Sequence, residues 1–199
     1  MQITIPYLNI RLRFSFWFFA VLAVFVLLAE RHILLWYIAL PVLIHELGHL
    51  IAMAACKIKV REIHFTPVSL RMQAGGQTLT LGQELGLAAG GIAANLAAAL
   101  FLWLFAFQSM RTMLLIAANL AVAAFNILPI GSLDGGRMIG SLCDRYLRPQ
   151  AARFLSRLVS FVALIPLTAL SVFLLISGSG NFTLALICAY LAVQIILRD

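Results

Sequence analysis

The sequence predicts an all-α polytopic membrane protein with about six transmembrane helices and a small β-sheet or hairpin between the second and third helices. Hydrophobic residues make up 63% of the 199 residues and charged residues only 11%, whereas soluble domains have roughly 45–50% and 25%. Some apolar runs are shorter than the roughly 20 residues that span a bilayer, so we expect tilt or local thinning. The six runs cover residues 14–29, 33–55, 85–107, 113–128, 158–176 and 182–197.

The first run follows two arginines but lacks a small-x-small cleavage site, so we expect a retained span rather than a signal peptide. If the N-terminus lies inside, only Arg31 and Arg111 of the 14 lysines and arginines fall in outer segments. This bias predicts a multi-pass cell-membrane protein with both termini in the cytoplasm. The net charge of +7 then reflects orientation and contact with anionic lipids. We do not expect nucleic-acid binding, because the sequence has no patch of basic residues interleaved with aromatic residues.

The second run contains the motif H-E-x-x-H, formed by His45, Glu46 and His49. Residues four apart share one face of a helix, so the two histidines can bind one metal ion with Glu46 beside it. Imidazoles and carboxylates are costly in hydrocarbon, and we favour one catalytic Zn²⁺ per chain as the reason for their presence. The alternative is a pair of buried histidines bonded to backbone or to other helices.

The predicted topology places this motif nearer the cytoplasmic face. His45 lies eleven residues before Cys56, which puts it about 16 Å along the helix from the inner end of the second span. We therefore expect water and substrate to reach the motif from the cytoplasmic side. The three cysteines are widely separated and indicate neither a disulfide framework nor a thiolate metal site.

Asp134 is the best carboxylate for a third zinc ligand, and hydrolytic zinc usually takes three protein ligands. Pro129 and Gly131 should break the fourth span near its inner end, and broken backbone at membrane depth lines protein or a wet cavity. The second and fourth spans run in the same direction, so Asp134 should arrive on the same side as His49. The alternative is an ordinary helix exit, in which Asp134 caps a short helix at 136–147.

Residues 57–81 form the main polar segment. Residues 68–73 alternate with period two, and the glycine pair at 75–76 could turn them into a strand at 77–81. We expect a small antiparallel sheet at the cytoplasmic interface, with an edge that binds substrate as an added strand. The alternative is a reentrant loop that only plugs the active site. Residues 2–10 also alternate and could join the sheet, where their proline restricts them to an edge.

Three motifs in the second to fourth spans carry a family resemblance. They are His45-Glu46-x-x-His49, Gly91-x-x-x-Asn95, and Asn126-x-x-Pro129-x-x-x-Leu133-Asp134-Gly135-Gly136-Arg137. Together they resemble the site-2 protease family of intramembrane zinc metalloproteases. The chain differs at Gly91-Ile92, where the family usually has Gly-Pro, and at Ser132, where it often has proline.

The resemblance implies a zinc ion held by His45, His49 and Asp134, with Glu46 as the general base. It implies that the chain hydrolyses a membrane-embedded or membrane-adjacent segment of a protein substrate, as in regulated intramembrane proteolysis. We expect a single protease domain at 1–199 with its catalytic core at about 33–137 and without a PDZ or CBS module. The early H-E-x-x-H in a six-span plan also resembles the sporulation-type branch, whose members release a transcription-factor precursor. A regulatory membrane protein is a further candidate partner.

Asn126 and Asn95 are two further polar residues in the apolar spans. Asn126 could donate a hydrogen bond to the substrate backbone or oxyanion, or it could bond a carbonyl freed where the helix breaks. Asn95 is expected to form an interhelical hydrogen bond. A divalent-metal transporter would need further polar groups leading to the outer face, and the outer halves of the spans offer almost none. The intact ligands and base disfavour an inactive protease-like scaffold.

Overall fold

The computed structural model describes eight stretches of the chain. The predicted first span lies outside them, apart from residue 14, which ends a strand. The predicted turn at 75–76 also lies outside them. The described residues are 2–5, 10–14, 34–58, 60–65, 70–74, 78–106, 109–177 and 182–197.

Helices dominate the described residues. Three of the helices, α1, α2 and α5, are long and apolar enough to cross a membrane, and α3 and α6 are shorter apolar helices. This composition is that of a helical membrane protein. In chain order the helices are α1 (Leu34–Ala55), α2 (Leu81–Ala106), α3 (Met110–Asn126), α4 (Asp134–Tyr146), α5 (Pro149–Ile176) and α6 (Thr183–Leu197).

Five of the described helices match the second to sixth predicted spans, and α4 is the short helix that follows the fourth span. The starts of α2, α4 and α5 are earlier than predicted. α5 begins at Pro149, nine residues before the apolar run at 158–176. Proline suits the first turn of a helix because its fixed φ is already helical, and arginine does not end a helix. The apolar run therefore underestimates the helix. α4 begins at Asp134 rather than at 136.

A four-stranded sheet is formed by β1 (Gln2–Ile5), β2 (Ile10–Phe14), β3 (Val60–Phe65) and β4 (Leu70–Ala74). The strand order is β1-β2-β3-β4. β1 and β2 pair antiparallel, β2 and β3 pair parallel, and β3 and β4 pair antiparallel with Ile63 opposite Met72. β1 occupies one edge of the described sheet, where the sequence predicted residues 2–10 to lie.

The sheet corrects two details of the prediction. It is mixed rather than antiparallel, because the N-terminal hairpin joins β3 through a parallel pair. The expected strand at 77–81 is wrong, since residues 78–80 are not in a strand and α2 begins at Leu81. Thr80 explains the early start of α2. Its Oγ1 accepts a hydrogen bond from the backbone N–H of Gln83 at 3.3 Å, and the Gln83 side chain accepts one from the N–H of Thr80 at 3.0 Å, which is a capping box.

The chain divides into two compact units, Met1–Ala123 and Ala124–Asp199, and the boundary lies within α3. The single domain at 1–199 with a catalytic core at about 33–137 stays a prediction.

In the first unit, α1 and α2 pack through small residues. A Cβ atom added at Gly48 would collide with the carbonyl oxygen of Gly90, and one added at Gly90 would lie 2.5 Å from the Cβ of Ala52. Small residues let membrane helices approach closely where lipid offers no hydrophobic driving force. This approach brings side chains of α1 within hydrogen-bond reach of α2.

In the second unit, the turn between α3 and α4 is anchored in the core. Ile130 is completely buried against residues of α5 and α6, including Leu164 and Leu191. The backbone N–H of Gly131 donates to the Ser160 hydroxyl at 3.0 Å. The turn that precedes Asp134 is therefore held by both apolar burial and a hydrogen bond.

Candidate metal centre

His45 and His49 project from adjacent turns of α1 and are both buried, with 6% and 7% of their surface exposed. Their Nε2 atoms lie 3.2 Å apart, and the two rings meet edge to face with centroids separated by 4.7 Å. The four-residue spacing predicted this shared face. The structure thus brings together the two histidines that the sequence predicted to share one face of a helix.

The opposite nitrogen of each ring is engaged by α2. The Nδ1 atom of His49 donates to the carbonyl oxygen of Leu87 at 2.8 Å, and the Nδ1 atom of His45 donates to Oδ1 of Asn95 at 3.1 Å. A carbonyl oxygen only accepts, so each Nδ1 carries the hydrogen. Hydrogen bonds of this kind fix ring orientation and tautomer in metal-ligating histidines.

These tautomers leave both Nε2 atoms as lone-pair acceptors facing the same point. Two lone pairs that are 3.2 Å apart repel each other unless a cation binds both. Two nitrogens at about 2.0–2.1 Å from a tetrahedral zinc ion would lie about 3.3–3.4 Å apart. The imidazole pair therefore fits a divalent metal ion in donor type, tautomer and spacing.

Gly91 of α2 provides the room for this arrangement. A Cβ atom at this position would lie 2.6 Å from Cε1 and 2.7 Å from Nε2 of His45, and 2.7 Å from Nε2 of His49. Any side chain at position 91 would therefore press on the two donor atoms. The missing Cβ atom keeps the front of both imidazoles open.

Glu46 follows His45 directly and lies about 100° further around the helix. Its side chain is partly exposed, in contrast to the two buried histidines. A carboxylate next to a metal ligand can accept and pass on a proton.

Asp134 belongs to the second unit, where it is the first residue of α4 and only 5% exposed. The residue in the N-cap position is Leu133, so the interpretation of Asp134 as the cap of a helix at 136–147 is wrong. Its Oδ1 lies 3.5 Å from Nη1 of Arg137, one turn along α4. A carboxylate in the first turn also interacts favourably with the helix dipole.

The glycines after Asp134 are required by close backbone packing. A Cβ atom at Gly135 would collide with the carbonyl oxygen of Ile127, and one at Gly136 with that of Ile130. The turn therefore folds back onto the first residues of α4.

His45 and His49 in the first unit and Asp134 in the second are each buried, and each carries a donor atom of a kind that zinc binds. A single ion shared by all three stays a prediction. Asn126, the last residue of α3, is partly buried, and its role stays a prediction. The hydrogen bond to Leu87 could not be predicted, because a backbone carbonyl leaves no sequence signature. The role of Asn119 was not predicted, although a lone amide in an apolar run is a visible signal.

No family model and no curated protein matches the chain. Among solved structures, the chain is similar to the site-2 protease from Methanocaldococcus jannaschii, with a TM-score of 0.65 and 17% sequence identity. The similarity covers 98% of this chain and 93% of that protein. The chain therefore has the fold of a site-2 protease, and the shared fold supports the resemblance that its motifs carry.

Proposed function

Given the fold of a site-2 protease, we propose that this chain is a zinc-dependent intramembrane endopeptidase. Its substrate is a protein segment that lies in the membrane or directly beside it. Both termini lie in the cytoplasm, and the active site is nearer the cytoplasmic face.

The observation that carries the proposal is the imidazole pair of α1. Its two Nε2 atoms are 3.2 Å apart on a helix long and apolar enough to cross a membrane. Such groups are costly in hydrocarbon and mark functional sites. The partly exposed carboxylate of Glu46 beside a buried metal-binding pair is the arrangement that metal-assisted hydrolysis needs.

His45, His49 and Asp134 would hold the ion, and two neutral imidazoles with one carboxylate are a zinc donor set. When bound, zinc polarises a carbonyl and makes a neighbouring water molecule more acidic. Glu46 accepts a proton from the attacking water and delivers it to the amine that leaves. Asn126 donates a hydrogen bond to the substrate backbone or to the developing oxyanion.

The substrate needs an extended conformation, because an α-helix engages each peptide carbonyl in its own hydrogen-bond ladder. We propose that the segment to be cleaved pairs with β4, which is an edge strand of the described sheet. Strand addition supplies backbone hydrogen bonds without demanding one substrate sequence. A regulatory membrane protein that covers this edge would restrain the enzyme.

Proteolysis is tested with the purified full chain in proteoliposomes, using single-span model polypeptides labelled at both ends. We expect cleavage that 1,10-phenanthroline abolishes and added zinc restores. Glu46→Gln should lower the cleavage rate by about 10²–10⁴-fold, the usual range for a general base, while zinc content measured by atomic absorption stays the same.

The rival functions give different results in the same vesicles. A zinc indicator inside the vesicles would report zinc entry if the chain were a transporter, and cleavage would be absent. An inactive scaffold would bind zinc but neither transport it nor cleave any model polypeptide. Full turnover by Glu46→Gln would contradict the assigned base.

A further inference from the structure

Two asparagines lie in the interior of the first unit, on helices that are apolar around them. Asn95 of α2 and Asn119 of α3 are both 0% exposed. The side chain of Asn95 accepts from Nδ1 of His45 at 3.1 Å and donates through Nδ2 to the carbonyl oxygen of Pro41 at 3.0 Å. It also donates to Oδ1 of Asn119 at 3.2 Å.

The orientation of the Asn95 amide follows from its neighbours. The carbonyl of Pro41 and Oδ1 of Asn119 both accept, so the atom of Asn95 that faces them must be the donor Nδ2. Asn119 is oriented in turn, because its own Nδ2 donates to the carbonyl oxygen of Leu115 at 2.8 Å. Along the hydrogen-bond network that runs from the Leu115 carbonyl through Asn119 and Asn95 to His45, each polar atom can therefore act only as the donor or only as the acceptor.

This chain of bonds decides the state of a metal ligand. With Nδ2 held by two acceptors, Asn95 can offer only its carbonyl oxygen to His45, and the hydrogen of that imidazole must sit on Nδ1. The lone pair is then on Nε2, the atom that faces His49. A reversed amide would face Nδ1 with a donor and favour the tautomer whose Nε2 carries a hydrogen.

We infer that Asn95 and Asn119 are positioning residues that hold His45 in its metal-binding tautomer and ring orientation, and so raise the metal affinity of the site. Neither residue touches the metal. The inference rests on the proposed zinc site and extends it to α3, which joins this hydrogen-bond network through the Asn119 amide and the Leu115 carbonyl. Partners behind metal-ligating histidines typically change metal affinity by about 10–100-fold when removed.

The test is the zinc dissociation constant of the full-length purified protein, measured by competition with a chromophoric chelator. Asn95→Leu has a similar volume and no acceptor, and we expect it to weaken zinc binding by about 10–100-fold. Asn95→Asp is the rescue variant. Its neutral acid, the form favoured in apolar surroundings, accepts from His45 and donates to Asn119, so affinity should return to within a few-fold of the native value.

A control separates positioning from general destabilisation. Met53→Ala truncates a buried side chain on α1 and should lower the melting temperature while leaving zinc affinity unchanged. Asn119→Leu keeps the bond between Asn95 and His45 but removes one anchor, so a smaller loss of affinity is expected. If Asn95→Leu fails to fold, the zinc affinity and Co²⁺ spectrum of Asn119→Leu test the positioning role instead. The visible spectrum of the Co²⁺-loaded protein should change for Asn95→Leu and not for Met53→Ala.

The outcomes distinguish this inference from the function it rests on. If the native protein binds zinc and both Asn95→Leu and Asn119→Leu bind it equally well, the positioning role is wrong and the metal site stands. If Asn119→Leu alone can be purified, unchanged affinity and an unchanged Co²⁺ spectrum overturn the inference. If the native protein binds no zinc, both the site and the role of the asparagines are wrong.

Discussion

The two regions that supply the proposed ligands are built in opposite ways. The histidines lie on the uninterrupted helix α1, and their orientation is fixed by hydrogen bonds from their Nδ1 atoms to α2. Asp134 lies at the start of α4, after a turn without regular helix that is held by the buried Ile130 and by Ser160. In the first region, the imidazole rings are oriented by a side-chain amide and a backbone carbonyl. In the second region, packing and a hydrogen bond hold the backbone of the turn that precedes Asp134.

The two regions should therefore tolerate different substitutions. Both contain glycines that allow close packing, but the atoms packed against those glycines differ. Gly91 leaves space for imidazole atoms, whereas Gly135 and Gly136 leave space for backbone carbonyls. A side chain can rotate away from an intruding methyl group and a carbonyl in a tight turn cannot. We therefore expect changes near the histidines to alter metal binding and changes near Asp134 to alter stability.

Removal of a ligand from either region should have the largest effect. His45→Ala and Asp134→Ala should each lose tightly bound zinc and all cleavage, because three protein ligands are usual for catalytic zinc. Zinc per chain after dialysis, measured by atomic absorption, checks this. Native zinc affinity in Asp134→Ala would mean that the two regions do not share an ion.

Gly91→Ala should come next, with an effect on the metal rather than on the fold. The added Cβ atom would lie 2.7 Å from both Nε2 atoms, so we expect zinc affinity to fall by more than about tenfold, as for other changes that reorient metal ligands. Gly82→Ala on the same helix is the matched control, because a Cβ atom there has nothing within 4 Å. Chelator competition measures both, and equal affinities would contradict the assigned role of Gly91.

Gly136→Ala should act on stability. Its Cβ atom would collide with the backbone of Ile130 and Gly131, so we expect a loss of about 1–3 kcal/mol in unfolding free energy, as for overpacked interiors. Gly140→Ala on the same helix has open space and should gain about 0.5–1 kcal/mol from helix propensity. Thermal unfolding in detergent compares the two, and a more stable Gly136→Ala variant would contradict the described turn.

The sequence predicted the parts of this comparison that have a periodic or compositional signature. The spacing of His45 and His49 predicted a shared face, and the apolar runs predicted most helices. Asp134 stands out in the sequence as a third ligand because the apolar chain has few carboxylates and because this one follows Pro129 and Gly131. The carbonyl of Leu87 and the fit of Gly91 could not be predicted, because both depend on how two helices pack. The start of α5 was missed because its first turns carry arginines, which helices accept.

Lys57→Gly should have the smallest effect. Lys57 lies two residues beyond the end of α1 and has a φ of 53°. The N–H groups of Lys57 and Ile58 donate to the carbonyl oxygens of Ala54 and Met53 at 3.1 and 3.0 Å, which is a Schellman motif. Glycine adopts this left-handed conformation without the cost of about 1–2 kcal/mol that other residues meet. We expect a slightly higher melting temperature and native zinc affinity. A lower melting temperature would show that the lysine side chain contributes more than the strain costs.

The shared ion is tested most directly by zinc X-ray absorption on the full-length Asp134→Cys variant. We expect two imidazole nitrogens in the native spectrum and no sulfur, although Cys56, Cys143 and Cys188 are free thiols. In the variant a Zn–S distance of about 2.3 Å should appear, because thiolate replaces carboxylate in the coordination shell. A variant spectrum without sulfur, in a protein that still binds zinc through both histidines, would contradict the claim that Asp134 completes the site.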